Sequence, residues 1–319
     1  MKRKLLIFFL LVCLLLAGCG KKDFEDAKSA AEAFNVEATR VNELIVPYND
    51  AVQNVMEANS AVISAINQAQ EVINKGEEPY DANSLIALKE AMSAAQMAIV
   101  PNPDVLPVFE LLSASEDMKS KELKALTKTA TEELEKLKSF ILPEVPVLPD
   151  YSDYLTNLAN TQEAYEDSIQ SLKQVTAPTD EFVMSRLQRV DTIAAMAPVT
   201  EDHDPNNQLN KQGGYIGCIY FTDLQVDRTR LYVGPDEDIN DVVDVGTDGG
   251  GAIEIFANVE DAVARDTYID NIVKSGSIAR PGSHVVVGTI LVRTSDHLTG
   301  TQQKVLTEKI INALITIDK

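Results

Sequence analysis

Between Glu201 and Gly251 the chain carries eleven acidic residues against Lys211, Arg228 and Arg230. Asp202, Asp204 and Asn206 fall at alternate positions there, and so do Asp236, Asp238 and Asn240. Calcium needs several oxygen ligands converging on one point, and an acidic loop with this spacing can wrap them around an ion. Neither copy completes the EF-hand pattern. Its sixth positions are Asn207 and Asp241 where glycine is expected, and its twelfth are Gly213 and Thr247 where glutamate is expected. Two readings stay open. Asp202, Asp204, Asp236 and Asp238 share one calcium ion, or both loops are solvated turns with Asp204-Pro-Asn-Asn207 as ordinary turn chemistry.

The other chemically suggestive residues point to packing. Gly246-Thr-Asp-Gly-Gly-Gly251 lacks the lysine and following helix of a phosphate-binding loop, and reads as a tight turn into a strand. His203, His284 and His297 have no short metal-ligand spacing. Ser283 and His284 are neighbours on a strand, so their side chains point to opposite faces and do not form a nucleophile–base pair. Cys218, in Ile216-Gly-Cys-Ile-Tyr-Phe221, reads as core. No catalytic constellation emerges, and calcium is the one cofactor the spacing suggests.

Lys2, Arg3 and Lys4 precede a thirteen-residue apolar run from Leu5 to Ala17, closed by Leu16-Ala17-Gly18-Cys19. That run is short for a permanent membrane span and has the layout of an export signal. The small residues before Cys19 resemble the lipobox of bacterial lipoproteins. The resemblance implies cleavage before Cys19, a lipid on its thiol, and attachment to the extracytoplasmic face of the cell membrane. The net charge of −21 becomes more negative once residues 1–18 leave with three basic residues. Such a chain is repelled by nucleic acid, which excludes a basic-patch nucleic-acid partner. With Cys13 removed and Cys19 acylated, Cys218 is the one remaining thiol, so no intrachain disulfide is expected.

The elements that must position these residues fall into two grammars. From Phe24 through Ala27, Ala31, Phe34, Ala38, Val41, Ile45, Tyr48, Val52, Val55, Asn59, Val62, Ile66 and Ala69 to Ile73, a three-four spacing predicts one long helix with a coiled-coil-like seam. Asn59 is the seam's polar position, either fixing register or sitting where the seam meets solvent. Pro47 predicts a kink. A second helix follows Asp81, with Leu85, Leu88, Met92, Ala95 and Ile99 inward. After Pro101-Asn-Pro103 and Pro107, the apolar stripe is read as resuming at Val108 and Leu111 and running to Leu137 and Ile141. Pro143, Pro146 and Pro149 make a corner before a last helix bearing Tyr151, Leu155, Leu158, Tyr165, Ile169 and Leu172. An antiparallel helical bundle over 24–175 is the expected result.

Beyond Pro178 the order is αβββαβα. A helix capped by Thr179 or Asp180 precedes strands at 192–199, 215–222 and 252–257. A helix at 259–272 with Val259, Ala262, Val263, Tyr268, Ile269 and Ile272 on its apolar face follows, then one strand at 284–293 and a closing helix at 302–315. This predicts a two-layer α+β domain over 178–319, with helices on one face of a mainly antiparallel sheet. The full expected layout is a signal at 1–18, a linker at 19–23, the bundle at 24–175 and the module at 178–319.

Glu201-Asp-His-Asp-Pro-Asn-Asn-Gln-Leu-Asn-Lys-Gln-Gly-Gly-Tyr215, Gly246–Gly251 running into Ile253-Glu-Ile-Phe256, Val259-Glu-Asp-Ala262, Gly282–Thr289 and Arg293-Thr-Ser295 together resemble a module of uncharacterised envelope lipoproteins from Gram-positive, clostridia-like bacteria. The resemblance covers 178–319. It implies an extracytoplasmic module after a variable helical region, and no activity or catalytic residues come with it. The expected function is therefore a lipid-anchored surface protein that binds a protein or cell-wall partner. The rivals are an envelope hydrolase or cell-wall-modifying enzyme with its site in 201–251, and the solute-binding subunit of a transporter. The last is disfavoured because the chain shows no two similar α/β lobes.

Overall fold

The computed structural model describes residues 2–235, 237–274 and 281–319, with side chains from Lys21 onward save that of Val273. Asp236 and the side chain of Cys19 lie outside the described residues. Contacts divide the chain into two compact units, one of residues 1–68 with 93–156, the other of 69–92 with 157–319. This division cuts elsewhere than the 175–178 boundary drawn along the sequence, because 69–92 and 157–177 group with the sheet. Among the described residues no helix is long and apolar enough to cross a membrane.

In the first unit, α1 (Lys2–Asn74) runs through Pro47, and its remaining turn belongs to the second unit. The seam is real: Ala27, Ala38, Val41, Ile45, Val52 and Val62 are fully buried. Asn59 is buried too and fully satisfied. Its amide donates to the carbonyl of Val100 at 2.9 Å and to Asn102 Oδ1 at 2.7 Å, while Tyr151 donates its hydroxyl to Asn59 Oδ1 at 2.7 Å. Tyr151 Oη in turn accepts the Val100 backbone N–H at 3.0 Å. The polar seam position thus pins the chain that follows α2 (Ala82–Ala98), in line with the register-fixing reading.

The segment after α2 corrects the expected helix. Residues 99–115 form neither helix nor strand, and the half-buried Pro103, Leu106, Phe109 and Leu112 recur at every third residue. That is the period of a polyproline II helix. Val108 and Leu111 lie on the opposite side, 53% and 60% exposed. Asparagines of α1 hold this segment antiparallel to the helix. Asn35 pairs with the backbone N–H and C=O of Leu112, Asn42 with those of Phe109, and Asn49 with those of Leu106, all at 2.8–2.9 Å. Seven residues of α-helix rise roughly 10.5 Å and three of polyproline II roughly 9.3 Å, so the two periods stay in step over several repeats. At the next step stand Met56 and Pro103, and proline has no N–H to offer. Phe34, Val41 and Ile45 of α1 pack with Ala130 and Leu137 of α3 (Ser120–Lys138), and Leu106, Phe109 and Leu112 close this core. Residues 140–151 lie outside any helix or strand and leave Ile141 86% exposed, against the expected stripe.

In the second unit, α4 (Ser152–Gln174) buries Tyr165 and Ile169. Tyr165 donates to the carbonyl of Glu77, and Ser168 accepts the Asp81 N–H. α5 (Asp180–Leu187) is capped by Thr179 Oγ1, which accepts the Phe182 N–H. The sheet is five-stranded and antiparallel throughout its named pairs, in the order β1 (Ile193–Pro198), β2 (Gly217–Asp223), β3 (Gly250–Ile255), β5 (Ile290–Thr294), β4 (Ser283–Val287). The expected single strand 284–293 is a hairpin, folded at Gly288-Thr289. Gly288 has φ +59°, and a Cβ there would come within 2.3 Å of the Val175 carbonyl oxygen, so only glycine fits.

The two-layer expectation is also corrected, because both sheet faces are covered. Ile219, Phe221, Ile253, Ile255, Ile290 and Val292 pack with α5 and α8 (Gly300–Ile315). Cys218, Tyr220, Ala252 and Leu291 pack with α6 (Val242–Val245) and α7 (Val259–Lys274). Strand residues alternate between faces, so β3 is buried along its whole length. Among the described side chains of α7 the buried ones are Ala262 and Ile269, whereas Val259, Val263 and Tyr268 are exposed.

Candidate functional site

One charged side chain sits inside this core. Glu254 of β3 faces α7 and is fully buried. Arg265 of α7, between Ala262 and Ile269, donates Nε to Glu254 Oε2 at 2.8 Å and Nη2 to Oε1 at 3.1 Å. Arg293 of β5 donates Nη1 to Glu254 Oε1 at 2.8 Å. Ala252 pairs with Arg293 and Glu254 with Leu291, so Glu254 and Arg293 are diagonal neighbours on one face, within reach of long side chains. Burial alone would raise the Glu254 carboxyl, but the Arg265 hydrogen bonds and the Arg293 charge outweigh it and hold it below the usual carboxylate range. Arg265 is raised, because Glu254 outweighs the effect of its own burial.

The two arginines of the triad line a cleft of about 790 Å³, together with Asp248, Asp296, His297 and Tyr268. One carboxylate faces two guanidinium groups, so one positive charge is left over. Arg293 Nε is buried and has no acceptor among the described residues, and the same holds for His297 Nδ1. In the same lining, ligand atoms of Asp248, Asp296 and His297 lie within 4.8 Å of one another. Burial, helped by the Asp296 charge, outweighs His297 and Arg293 and raises the Asp248 carboxyl above its ordinary value. The arrangement sets two guanidinium groups and the half-buried carboxylates of Asp248 and Asp296 along one cleft.

The expected calcium ligands lie elsewhere. Asp204 accepts the backbone N–H groups of Asn206, Gln208 and Leu209 at 2.6–2.9 Å, and the Tyr215 hydroxyl also donates to it. Burial opposes its ionisation, yet these bonds together lower its pKa. Asp202 is exposed, and Asp238 Oδ1 caps the turn at Asn240. A second three-residue cluster of possible ligands joins His203, Asp241 and Asp244. There His203 and Asp244 are 2.7 Å apart, and Asp241 caps α6. Neither cluster contains Asp202, Asp204 or Asp238. Cys218 is fully buried and its thiol is pushed up by burial, as a core residue's would be. Glu254 and Arg265 escaped the sequence reading. The available signal was a lone glutamate inside Ala252-Ile-Glu-Ile-Phe256, a charge where a buried strand calls for none.

No family model matches the chain, and no curated protein or solved structure matches it.

Proposed function

We propose that this chain is a lipid-anchored, extracytoplasmic binding protein, held to the membrane through Cys19, whose ligand site is the cleft lined by Arg265 and Arg293. One observation carries the reading. A fully buried carboxylate is shared by two arginines whose outer edges line an open cleft, and a buried charge network is a costly way to fill a core. Concave sites with a few convergent polar groups are where ligands bind. The site is read as one of recognition, since Glu254 is fully engaged by Arg265 and Arg293 and offers no free base.

Ala264 lines the cleft on an exposed turn of α7, so Ala264→Trp narrows it while leaving all three triad residues unsubstituted. A thermal-shift screen of the full chain against polar small molecules should give at least one stabilising compound, and Ala264→Trp should abolish that shift. Stabilisation that survives Ala264→Trp, or a screen in which nothing stabilises the wild type, overturns the reading.

A further inference from the structure

The cleft mixes its charges, and the mixture selects a ligand. The Arg293 charge acts on the Asp248 carboxyl, and Asp296 follows Arg293 by three residues. Ligand atoms of Asp248 and Asp296 lie within 4.8 Å of each other. A cation or an anion bound here therefore meets a like charge close beside the opposite one. The net charge of −21 further opposes a multiply charged anion such as phosphate. A hydroxyl avoids this conflict, because it is neutral and one oxygen both donates to a carboxylate and accepts from a guanidinium. Arg265 Nη1 and Arg293 Nη2 take no part in the bonds to Glu254, and Gln208 adds a neutral donor and acceptor to the lining.

Tyr268 is a separate observation that points the same way. This aromatic residue lines the charged cleft and is 57% exposed. The Arg265 guanidinium carbon lies 5.7 Å from its ring centroid, so an arginine of the cleft helps to hold the ring there. An aromatic face is apolar and electron-rich, which suits the flat C–H face of a sugar ring. The cleft, at about 790 Å³, has the size of a ligand pocket with room for a short oligosaccharide. We propose, resting on the reading of the cleft as a ligand site, that its ligand is a neutral saccharide. One sugar ring lies on Tyr268, and its hydroxyls reach Arg265, Arg293, Asp248 and Asp296.

Isothermal titration of the full chain, in a detergent without a sugar headgroup, tests this with maltose, cellobiose and N,N′-diacetylchitobiose. Phosphate, calcium and dialanine are the charged probes. At least one disaccharide should bind. Tyr268→Ala should weaken that binding roughly tenfold, whereas Tyr268→Phe, which keeps the ring, should bind as wild type does. No heat with any disaccharide overturns the saccharide, and so does binding that Tyr268→Ala leaves unchanged or that both Tyr268 variants lose alike. If a charged probe binds and Ala264→Trp removes its heat, the cleft stands as a ligand site and only the saccharide falls. If a disaccharide binds and Ala264→Trp leaves its heat unchanged, the cleft falls too.

Discussion

Asn42 donates its side-chain amide to the carbonyl of Phe109 at 2.8 Å and accepts the Phe109 N–H on its own oxygen at 2.9 Å. This two-bond ring satisfies both backbone groups of a residue that belongs to neither a helix nor a sheet. Asn42→Ala leaves both without a partner, and an unsatisfied buried group costs about 1–3 kcal/mol. Because these groups are only part-buried, the expected loss is about 2 kcal/mol, read as a lower urea midpoint with an unchanged slope. Asn42→Gln should not restore it, since one more methylene moves the amide off both atoms. An Asn42→Ala variant as stable as wild type would show that the ladder is incidental.

Asn59 and Tyr151 share one network with Val100, and the two side chains have different consequences. Tyr151→Phe removes the hydroxyl that bridges Asn59 Oδ1 and the half-exposed Val100 N–H, and leaves the Asn59 amide bonded to Val100 and Asn102. Asn59→Leu removes the acceptor of the buried Tyr151 hydroxyl hydrogen and the donor to both the Val100 carbonyl and Asn102 Oδ1. The leucine variant should therefore lose about 2–3 kcal/mol, and the phenylalanine variant about 1 kcal/mol. The order of their urea midpoints checks this, and a reversed order would mean that the hydroxyl is the keystone.

Glu254→Gln leaves Arg265 and Arg293 facing each other without a counter-charge. Breaking a buried pair in this way costs about 3–5 kcal/mol at neutral pH. The carboxyl's folded-state pKa lies below its unfolded one, so its contribution is present above the unfolded value of about 4.3. It is lost as pH falls through the depressed folded value. The stability gap between wild type and Glu254→Gln should thus be wide at pH 7 and narrow as the solution is acidified. Urea unfolding of both proteins at several pH values reads it directly, and a gap that is constant with pH would refute the pairing.

Asp204 organises the loop after β1 through three backbone N–H groups and Tyr215. Asp204→Ala should destabilise the chain by about 2–3 kcal/mol, in millimolar calcium and in chelator alike. If instead calcium stabilises the wild type and both Asp202→Asn and Asp204→Ala remove that stabilisation, the acidic loops hold an ion after all.

For the anchor, wild type should incorporate labelled palmitate and sediment with membranes, and Cys19→Ser should do neither. One acyl chain gives only marginal attachment, so the two or three chains of a lipoprotein terminus account for firm retention. Unchanged membrane association of Cys19→Ser, with no label on wild type, would remove the lipid from the proposal.

Much of this fold is written in local periodicity. The three-four spacing from Ala27 to Val62 marks one continuous buried stripe because a helix repeats its faces within two turns, and no distant residue is needed to see it. The same holds for Thr179 as a helix cap and for the glycine-rich entry into β3.

Local pattern misled where two periods coincide. Val108 and Leu111 are three apart, which suits a helix face and a polyproline II face equally. The partner asparagines on α1, about 60–80 residues away, decide which side is buried. Val286 to Ile290 read as one strand because every residue but Gly288 and Thr289 is apolar. The reversal there depends on the Val175 backbone, which leaves room only for glycine.

The site was the least legible part. Glu254, Arg265 and Arg293 stand on two strands and a helix, and no spacing links them in sequence. A charge in an apolar strand is a conflict until its partners are known. Those partners come only when α7 crosses the β3–β5 face and brings two arginines onto one carboxylate. Sequence alone determined which segments were helix, turn or strand wherever neighbours along the chain carry the pattern. Pairing across the chain decided the asparagine ladder, the second covered face of the sheet and the charged lining of the cleft, because those energies belong to residues that meet only after folding.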